Sequence, residues 1–296
     1  MSDGENGTRG EVVCEWLDEA AALKLRLDWR SRFEADELAA LIGAGEAWGS
    51  WVPGSGEFVV ARPWRHRREI ALLVEIAAIR HADALIADLA MRCRDEGCVL
   101  LMSMELHERR RAASWQRAGL APLEDVVTYE LVDPPPVVAA PGGISFEIVS
   151  AGDAPRLATL LALDHAAFPW IWWNSEEEFI RYLAAESVSV AIGTVAREPV
   201  CYVGLTRYEN ATHLDRIAVR PDRQGAGVGR VALTWAIERA RPSRATPMGL
   251  STQQTNARSR ALYESVGFRR RSSDDYRLYG RWLAGRESIP ASAWVS

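Results

Sequence analysis

The sequence predicts a mixed α/β (α+β) protein built from two tandem halves of similar plan. Three observations carry that reading. The run Pro134-Pro135-Pro136-Val137-Val138-Ala139-Ala140-Pro141-Gly142-Gly143 divides the chain, because consecutive prolines favour extended geometry and continue neither helix nor strand. On both sides of it, short apolar strands alternate with helical stretches. The two sides also share landmarks. Ala113 to Leu120 ends a helix as Ala261 to Phe268 does, with Gly267 lying 148 residues after Gly119 (267 − 119). Ile76-Ala77-Ala78 matches Ile217-Ala218-Val219 at an offset of 141 (217 − 76). A coincidence between two unrelated α/β units is the competing reading. The expected divisions are a disordered leader at 1–10, a first half at 11–133, a linker at 134–143, a second half at 144–285 and a tail at 286–296.

In the first half a helical stretch leads into strands near 47–52, 57–63 and 69–79. A helix over 82–96, a strand at 98–104, a helix over 107–118 and a strand at 125–132 follow. The second half opens with an alternating strand, Ile144 to Val149, and a helix over Pro155 to Ala167. The segment Phe168-Pro169-Trp170-Ile171-Trp172-Trp173-Asn174 breaks that helix. Ser175 followed three residues later by Glu178 is a capping box that opens the next one. Strands near 187–195 and 199–207 pair as a hairpin through Arg197-Glu198-Pro199. A strand over 212–219, a helix over 227–240 stopped by Pro242, a strand at 247–252, a helix from Asn256 and a strand near 275–282 complete the half.

Between strand 212–219 and its helix lies Gln224-Gly225-Ala226-Gly227-Val228-Gly229-Arg230. Glycines there let the backbone approach a ligand, having no Cβ in the way. The helix that follows turns free N–H groups and a positive dipole end toward the loop. The arrangement suits a phosphate or pyrophosphate. It is not a Walker loop, since no Gly-Lys-Ser/Thr follows. It is not the dinucleotide fingerprint either, because Arg230 stands where the third Gly or Ala belongs. Downstream, Asn256 is a good helix N-cap, Gly267 fits a left-handed helix end, and Leu262 and Val266 share a face.

The pattern Gln-x-x-Gly-x-Gly at Gln224, Gly227 and Gly229, followed by Asn-x-x-Ser-x-x-Leu-Tyr-x-x-x-Gly-Phe from Asn256 to Phe268, resembles the GNAT superfamily of acyl-CoA-dependent N-acyltransferases. The resemblance covers roughly residues 144–285. It implies a strongly twisted, mostly antiparallel sheet whose middle strands splay apart, with acyl-CoA lying in the splay and no metal. It therefore makes the chain two tandem GNAT-like domains. The first is a degenerate copy, because Arg80-His81-Ala82-Asp83-Ala84 has no glycine where the loop belongs, and Trp115 replaces the tyrosine.

Moving an acyl group from a thioester to an amine requires a base for the amine, an N–H donor for the developing oxyanion and a proton for the thiolate. His213 and Asp215 lie two residues apart on the strand where the family places its base, and a bulge there would change which one faces the substrate. A surface strand histidine, and an aspartate paired with Arg216 or Arg220, are the plainer alternatives. Tyr263 matches the family tyrosine that protonates the sulfur, or else it is a core aromatic. The resemblance assigns the oxyanion donor to the backbone N–H of Val219, and the pantetheine contacts to Ile217, Ala218 and Val219. It assigns the phosphates to Gln224, Gly225, Ala226, Gly227, Val228, Gly229 and Arg230. Asn256 holds the pantetheine side or caps its helix. Phe168, Trp170, Trp172 and Trp173 either wall the acceptor site, where aromatics suit a cationic amine, or plug the junction of the halves.

The expected activity is transfer of an acetyl group from acetyl-CoA to a primary amine of a small molecule by direct attack in a ternary complex. A non-catalytic acyl-CoA sensor or scaffold is the alternative. A net charge of −5 gives no support for nucleic-acid binding. No apolar run of membrane-spanning length is present. Cys14, Cys93, Cys98 and Cys201 lack metal-ligand spacing and read as free thiols of a cytoplasmic protein. A monomer or homodimer is expected.

Overall fold

The computed structural model describes residues 12–27, 29, 31–106, 112–132, 143–240 and 247–285. The leader at 1–10, residues 134–142 of the linker and the tail at 286–296 lie outside the described residues.

The first half runs β1 (Glu15–Trp16), α1 (Glu19–Ala22), α2 (Ala35–Gly43), β2 (Trp48–Val52), β3 (Glu57–Trp64), β4 (Arg67–Ala77), α3 (Ala82–Asp95), β5 (Leu100–Leu106), α4 (Ala112–Arg117) and β6 (Ala121–Leu131). The second repeats the plan. It runs β7 (Ser145–Ile148), α5 (Ala154–Ala167), α6 (Glu176–Ala184), β8 (Val188–Val195), β9 (Glu198–Arg207), β10 (Thr212–Val219), α7 (Val228–Ala240), β11 (Met248–Gln253) and α8 (Ala257–Val266). A two-residue strand β12 (Arg269–Arg270) precedes the last strand, β13 (Tyr276–Trp282). The hairpin turn of the second half falls on Ala196-Arg197, at φ +48 and +68, so Glu198 and Pro199 belong to β9 instead.

The local chemistry of the helix ends agrees with the sequence. Ser175 accepts from Glu178 N at 3.0 Å, as a capping Ser should. Asn256 Oδ1 accepts from Ser259 N at 3.0 Å. Gly267 closes α8 at φ +104, and Gly119 follows α4 at φ +78; both are left-handed positions that favour glycine.

The two halves share one continuous sheet, in the order β1-β2-β3-β4-β5-β13-β6-β11-β10-β9-β8-β7, with β12 on β6. Each half therefore sends its last strand into the other. β13 pairs antiparallel with β5 from Tyr276↔Leu106 to Trp282↔Leu100. β6 pairs antiparallel with β11 from Met248↔Leu131 to Gln253↔Val126. The strands β13 and β6 meet at the centre. The exchange leaves no open sheet edge where the halves meet, among the described residues.

The repeat extends to irregularities. In β4 the register with β3 slips at Val74, between the pairs Ala61↔Leu73 and Val60↔Glu75. In β10 it slips at Asp215, between Leu214↔Leu205 and Arg216↔Gly204. These two bulges stand 141 residues apart (215 − 74), the same offset as the Ile76 and Ile217 landmarks.

Helices cover both faces. Under α7 and α8 lies a core of Val127, Tyr129, Leu131, Val203, Leu214, Leu233, Ile237, Leu250, Tyr263 and Phe268. Under α5 and α6, Leu160, Leu163, Phe179, Ile192, Tyr202 and Ala218 are buried. The first half has matching cores under α3 and α4 and under α1 and α2.

Candidate active site

Strands β10 and β11 are parallel, yet they pair only over Thr212↔Met248, His213↔Gly249 and Leu214↔Leu250. Beyond Leu214 the two diverge, and among the described residues the edge of β10 that faces β11 has no strand partner as far as Val219. Backbone N–H and C=O groups left unpaired on such an edge seek a partner, and an extended amide-bearing chain supplies one. The divergence lies between the cores of the two faces, where Ile217 and Val219 pack toward α7 and Ala218 is buried toward α5.

The bulge sits at the point of divergence. It keeps Leu214 and Ile217 on the α7 face and leaves His213, Asp215 and Arg216 to the other side. His213 Nδ1 lies 2.8 Å from Asp215 Oδ1. An ionised carboxylate only accepts, so Nδ1 donates to it, and the lone pair of a neutral ring then lies on Nε2. The His213 side chain is 36% exposed. Asp215 is fixed in turn: Thr206 Oγ1 donates to it at 2.6 Å, and the Tyr182 hydroxyl from α6 makes a short bond to the same oxygen. Burial and the Asp215 charge push the Tyr182 phenol well up, so it remains a donor. Neither Arg216 nor Arg220 pairs with Asp215: Arg216 meets Asp164, and Arg220 meets Asp222 and Glu198.

At the far end of β10 the loop turns into α7. Gly225 and Gly227 are left-handed, at φ +82 and +85, and a Cβ built on either meets no atom within 4 Å. The backbone therefore requires glycine while the space beside it is open, which fits a loop that receives a ligand. Gly229 has ordinary φ; its Cβ would meet Leu262 Cδ2 of α8 at 3.4 Å. Gln224 Nε2 donates to Val219 O at 3.1 Å and ties the loop to the strand end. Arg258, in the first turn of α8, donates to Gln224 Oε1 at 2.6 Å. Arg230 donates to Ser265 Oγ at 2.8 Å. Loop and α8 are thus held together, and Val228 is buried in the core beneath α7 and α8.

Tyr263 is buried, tilted against Tyr129 and Phe268 at ring separations of 6.2 and 5.8 Å. Burial pushes its phenol up to about 12, so it stays protonated at neutral pH and suits a proton donor. Asn256 uses its Oδ1 to cap α8, accepting from Ser259 N.

The tryptophan-rich segment lies across the junction. Trp170 is buried against Ile70, Leu100 and Met102 of the first half and stacks on Trp282 at 6.1 Å. Trp172 is buried against Val126 and Leu278, meets Trp64 edge-on at 5.9 Å, and its indole N–H donates to Glu124 at 2.5 Å. Trp173 stacks on His165 at 4.4 Å. Phe168 lies beneath the Arg216 guanidinium at 4.4 Å. Trp170 and Trp172 are therefore packed between the halves; Trp173 and Phe168 touch the same junction clusters and also reach the α5 side, Trp173 through His165 and Phe168 through the α5 core.

Several residues of this region escaped the sequence reading. Asp164 is fully buried; it receives Arg216 at 3.3 Å, Asn174 N at 2.8 Å and the Tyr202 hydroxyl. Arg216 also donates to Trp172 O at 2.6 Å and Asn174 Oδ1 at 2.8 Å. From the first half, Arg65 donates to the same Asn174 oxygen at 2.6 Å, and burial with the nearby Arg216 charge pushes its guanidinium down to about 10. One signal was present: Asp164 occupies an apolar position of its helix, with Leu160 and Leu163. Among the described residues no group of three or more His, Cys, Asp or Glu side chains is placed to hold a metal. Nor is any helix among them long and apolar enough to cross a membrane.

The acetyltransferase (GNAT) family model matches residues 152–268. The ribosomal protein bS18-alanine N-acetyltransferase of Salmonella typhimurium is 30% identical over 124 residues, covering 42% of this chain and 80% of that one. The chain belongs to the GNAT family. Solved structures of similar fold span both halves. A tandem GNAT protein from the clavulanic acid biosynthesis pathway superposes with TM-score 0.57 at 12% identity, over 81% of this chain and 83% of its own. A GCN5-related N-acetyltransferase from Sphaerobacter thermophilus gives TM-score 0.57 at 16% identity, over 92% and 96%. A probable N-acyltransferase from Enterococcus faecalis gives 0.63 at 10%, over 92% and 72%. At such identities these likenesses concern the fold, which they share with this chain over both of its halves.

Proposed function

We propose that the chain is an N-acetyltransferase that moves an acetyl group from acetyl-CoA to a primary amine of a small molecule, within one ternary complex. One observation carries the reading: a single strand, β10, has the His213–Asp215 pair where it leaves β11 and the glycine loop at its other end. The loop from Gln224 to Arg230 holds the pyrophosphate, and Arg258 adds charge through Gln224. The free edge of β10 at Ile217, Ala218 and Val219 pairs with the pantetheine amides. His213 Nε2 takes the proton of the acceptor ammonium while Asp215 holds the ring. The Val219 N–H faces the carbonyl oxygen as charge develops on it. Tyr263 gives its proton to the departing sulfur. The first half is a degenerate copy without a site of its own. Phe168 and Trp173 border the acceptor, while Trp170 and Trp172 brace that wall against the first half.

The bS18-alanine N-acetyltransferase relative supports a second acceptor class, the α-amino group of a protein. A thiol-release assay with acetyl-CoA separates the readings. Turnover with small amines supports the first, and turnover confined to N-terminal peptides moves the acceptor to protein. Binding of acetyl-CoA without thiol release for any amine or peptide would assign the chain to the non-catalytic class.

A further inference from the structure

Strand β4 ends at Ala77 and α3 begins at Ala82. This is the strand-to-helix junction at which the second half presents its glycine loop, between β10 and α7. In the first half three successive backbone N–H groups converge there on one side chain. Ile79 N and Arg80 N donate to Glu57 Oε1, each at 2.9 Å, and His81 N donates to Oε2 at 3.1 Å. The His81 Nδ1 makes a further, short contact with Oε2.

A run of successive N–H groups ahead of a helix is a concavity for an anion. The carboxylate in it does not come from the helix's own cap residue. His81 is the N-cap of α3, and its side chain caps nothing on the helix. Glu57 comes instead from the first residue of β3, and its side chain is 15% exposed. Burial would raise its pKa, but the N–H bonds from Arg80 and Ile79 and the His81 imidazole outweigh that and hold it below its ordinary value. Where the second half has His213 and Asp215, the offset of 141 gives Leu72 and Val74 in the first. Where it has Tyr263, the offset of 148 gives Trp115.

We propose that the first half keeps an anion nest at the position of the second half's glycine loop, that Glu57 is its permanent internal ligand, and that this carboxylate keeps the phosphates of acyl-CoA out of the first half. The nest is a phosphate site closed from within. The proposal rests on the reading that the second half's loop holds pyrophosphate.

The test uses the full chain saturated with acetyl-CoA, so that the second half is filled. Inorganic pyrophosphate is then titrated into wild type and Glu57→Ala by calorimetry. Wild type should show no further binding, and the variant should gain one pyrophosphate per chain, at least tenfold tighter than any wild-type response. Should Glu57→Ala fail to fold, Glu57→Gln keeps the shape and removes the charge. Its Ile79, Arg80 and His81 amides should then exchange with deuterium at least tenfold faster than in wild type. Acetyl-CoA turnover should be unchanged in both variants, because Glu57 touches nothing in the second half's site. No pyrophosphate gain in a folded Glu57→Ala, or unchanged exchange in Glu57→Gln, overturns the proposal. Loss of acetyl-CoA binding in wild type itself would instead overturn the functional reading.

Discussion

Replacing Gly227 by valine separates the loop's role in binding from its role in the fold. Gly227 sits at φ +85, and a Cβ added there meets no protein atom within 4 Å. The cost to the fold is therefore mainly the left-handed backbone, about 1–3 kcal/mol, with no clash at the Cβ. Against a typical stability of ~5–15 kcal/mol the variant remains folded. Binding fares differently. Either the valine side chain stands in the open space reserved for phosphate, or the loop relaxes and its N–H groups no longer converge. Each route should weaken acetyl-CoA by at least tenfold, about 1.4 kcal/mol. Calorimetric titration beside a thermal melt measures both quantities. Wild type should bind one acetyl-CoA per chain, and Gly227→Val should melt cooperatively while binding weakly. Affinity within twofold of wild type in a folded Gly227→Val protein would refute the assignment of this loop to pyrophosphate.

Further outcomes are expected. Tyr263→Phe should lower turnover about 10²-fold with acetyl-CoA affinity nearly unchanged, since only the hydroxyl is lost; turnover within twofold of wild type would make Tyr263 a packing residue. His213→Ala should lower turnover about 10²-fold with acetyl-CoA affinity nearly unchanged, since the loop and the strand edge remain; turnover within twofold of wild type would move the base elsewhere. Trp172→Ala should destabilise the protein by about 3–5 kcal/mol, the usual cost of emptying a buried tryptophan site, and should also strip Glu124 of its indole donor. A raised KM for the acceptor with an unchanged melt would return Trp172 to the acceptor wall. Because the folded pKa of Glu57 is depressed below 4.5, its contribution to stability is present above that value and is lost as pH falls beneath it. Glu57→Gln should flatten that acid limb of melting temperature against pH, and an identical limb in both proteins would deny Glu57 the role.

What was legible in the sequence was local. Strand β10, the helix caps at Ser175 and Asn256, and the left-handed Gly267 each follow from a few neighbouring residues, and each stands where those residues put it. The glycine loop was legible because φ near +80 leaves a mark in residue type. The bulge at Asp215 was foreseeable only as a possibility, since no residue in Leu214-Asp215-Arg216 demands it. Strand exchange was hidden for a different reason. The alternation along β6 fits any antiparallel neighbour, and nothing in Val126 to Leu131 says that this neighbour is β11. The burial of Trp170 and Trp172 was equally hidden, because an aromatic segment declares its need for cover and not which surface supplies it. Asp164, Arg216 and Asn174 form a network only after α5, β10 and the tryptophan segment have met.

The exchanged strands give the first half a hold on the second that does not depend on any site of its own. Strand β6, encoded before the linker, is the wall on which β11 rests, and β11 is one arm of the divergence that opens beside His213. A gene truncated to the second half would leave β11 with an open edge and β13 without β5, and edges of that kind invite aggregation. The first half can therefore do without a glycine loop between β4 and α3, whereas the second half cannot do without β6. The same bond works in reverse for anyone rebuilding the protein. Substitutions in Ala121 to Leu131 count as changes to the second half, and a graft or swap of either half has to carry the other's final strand with it.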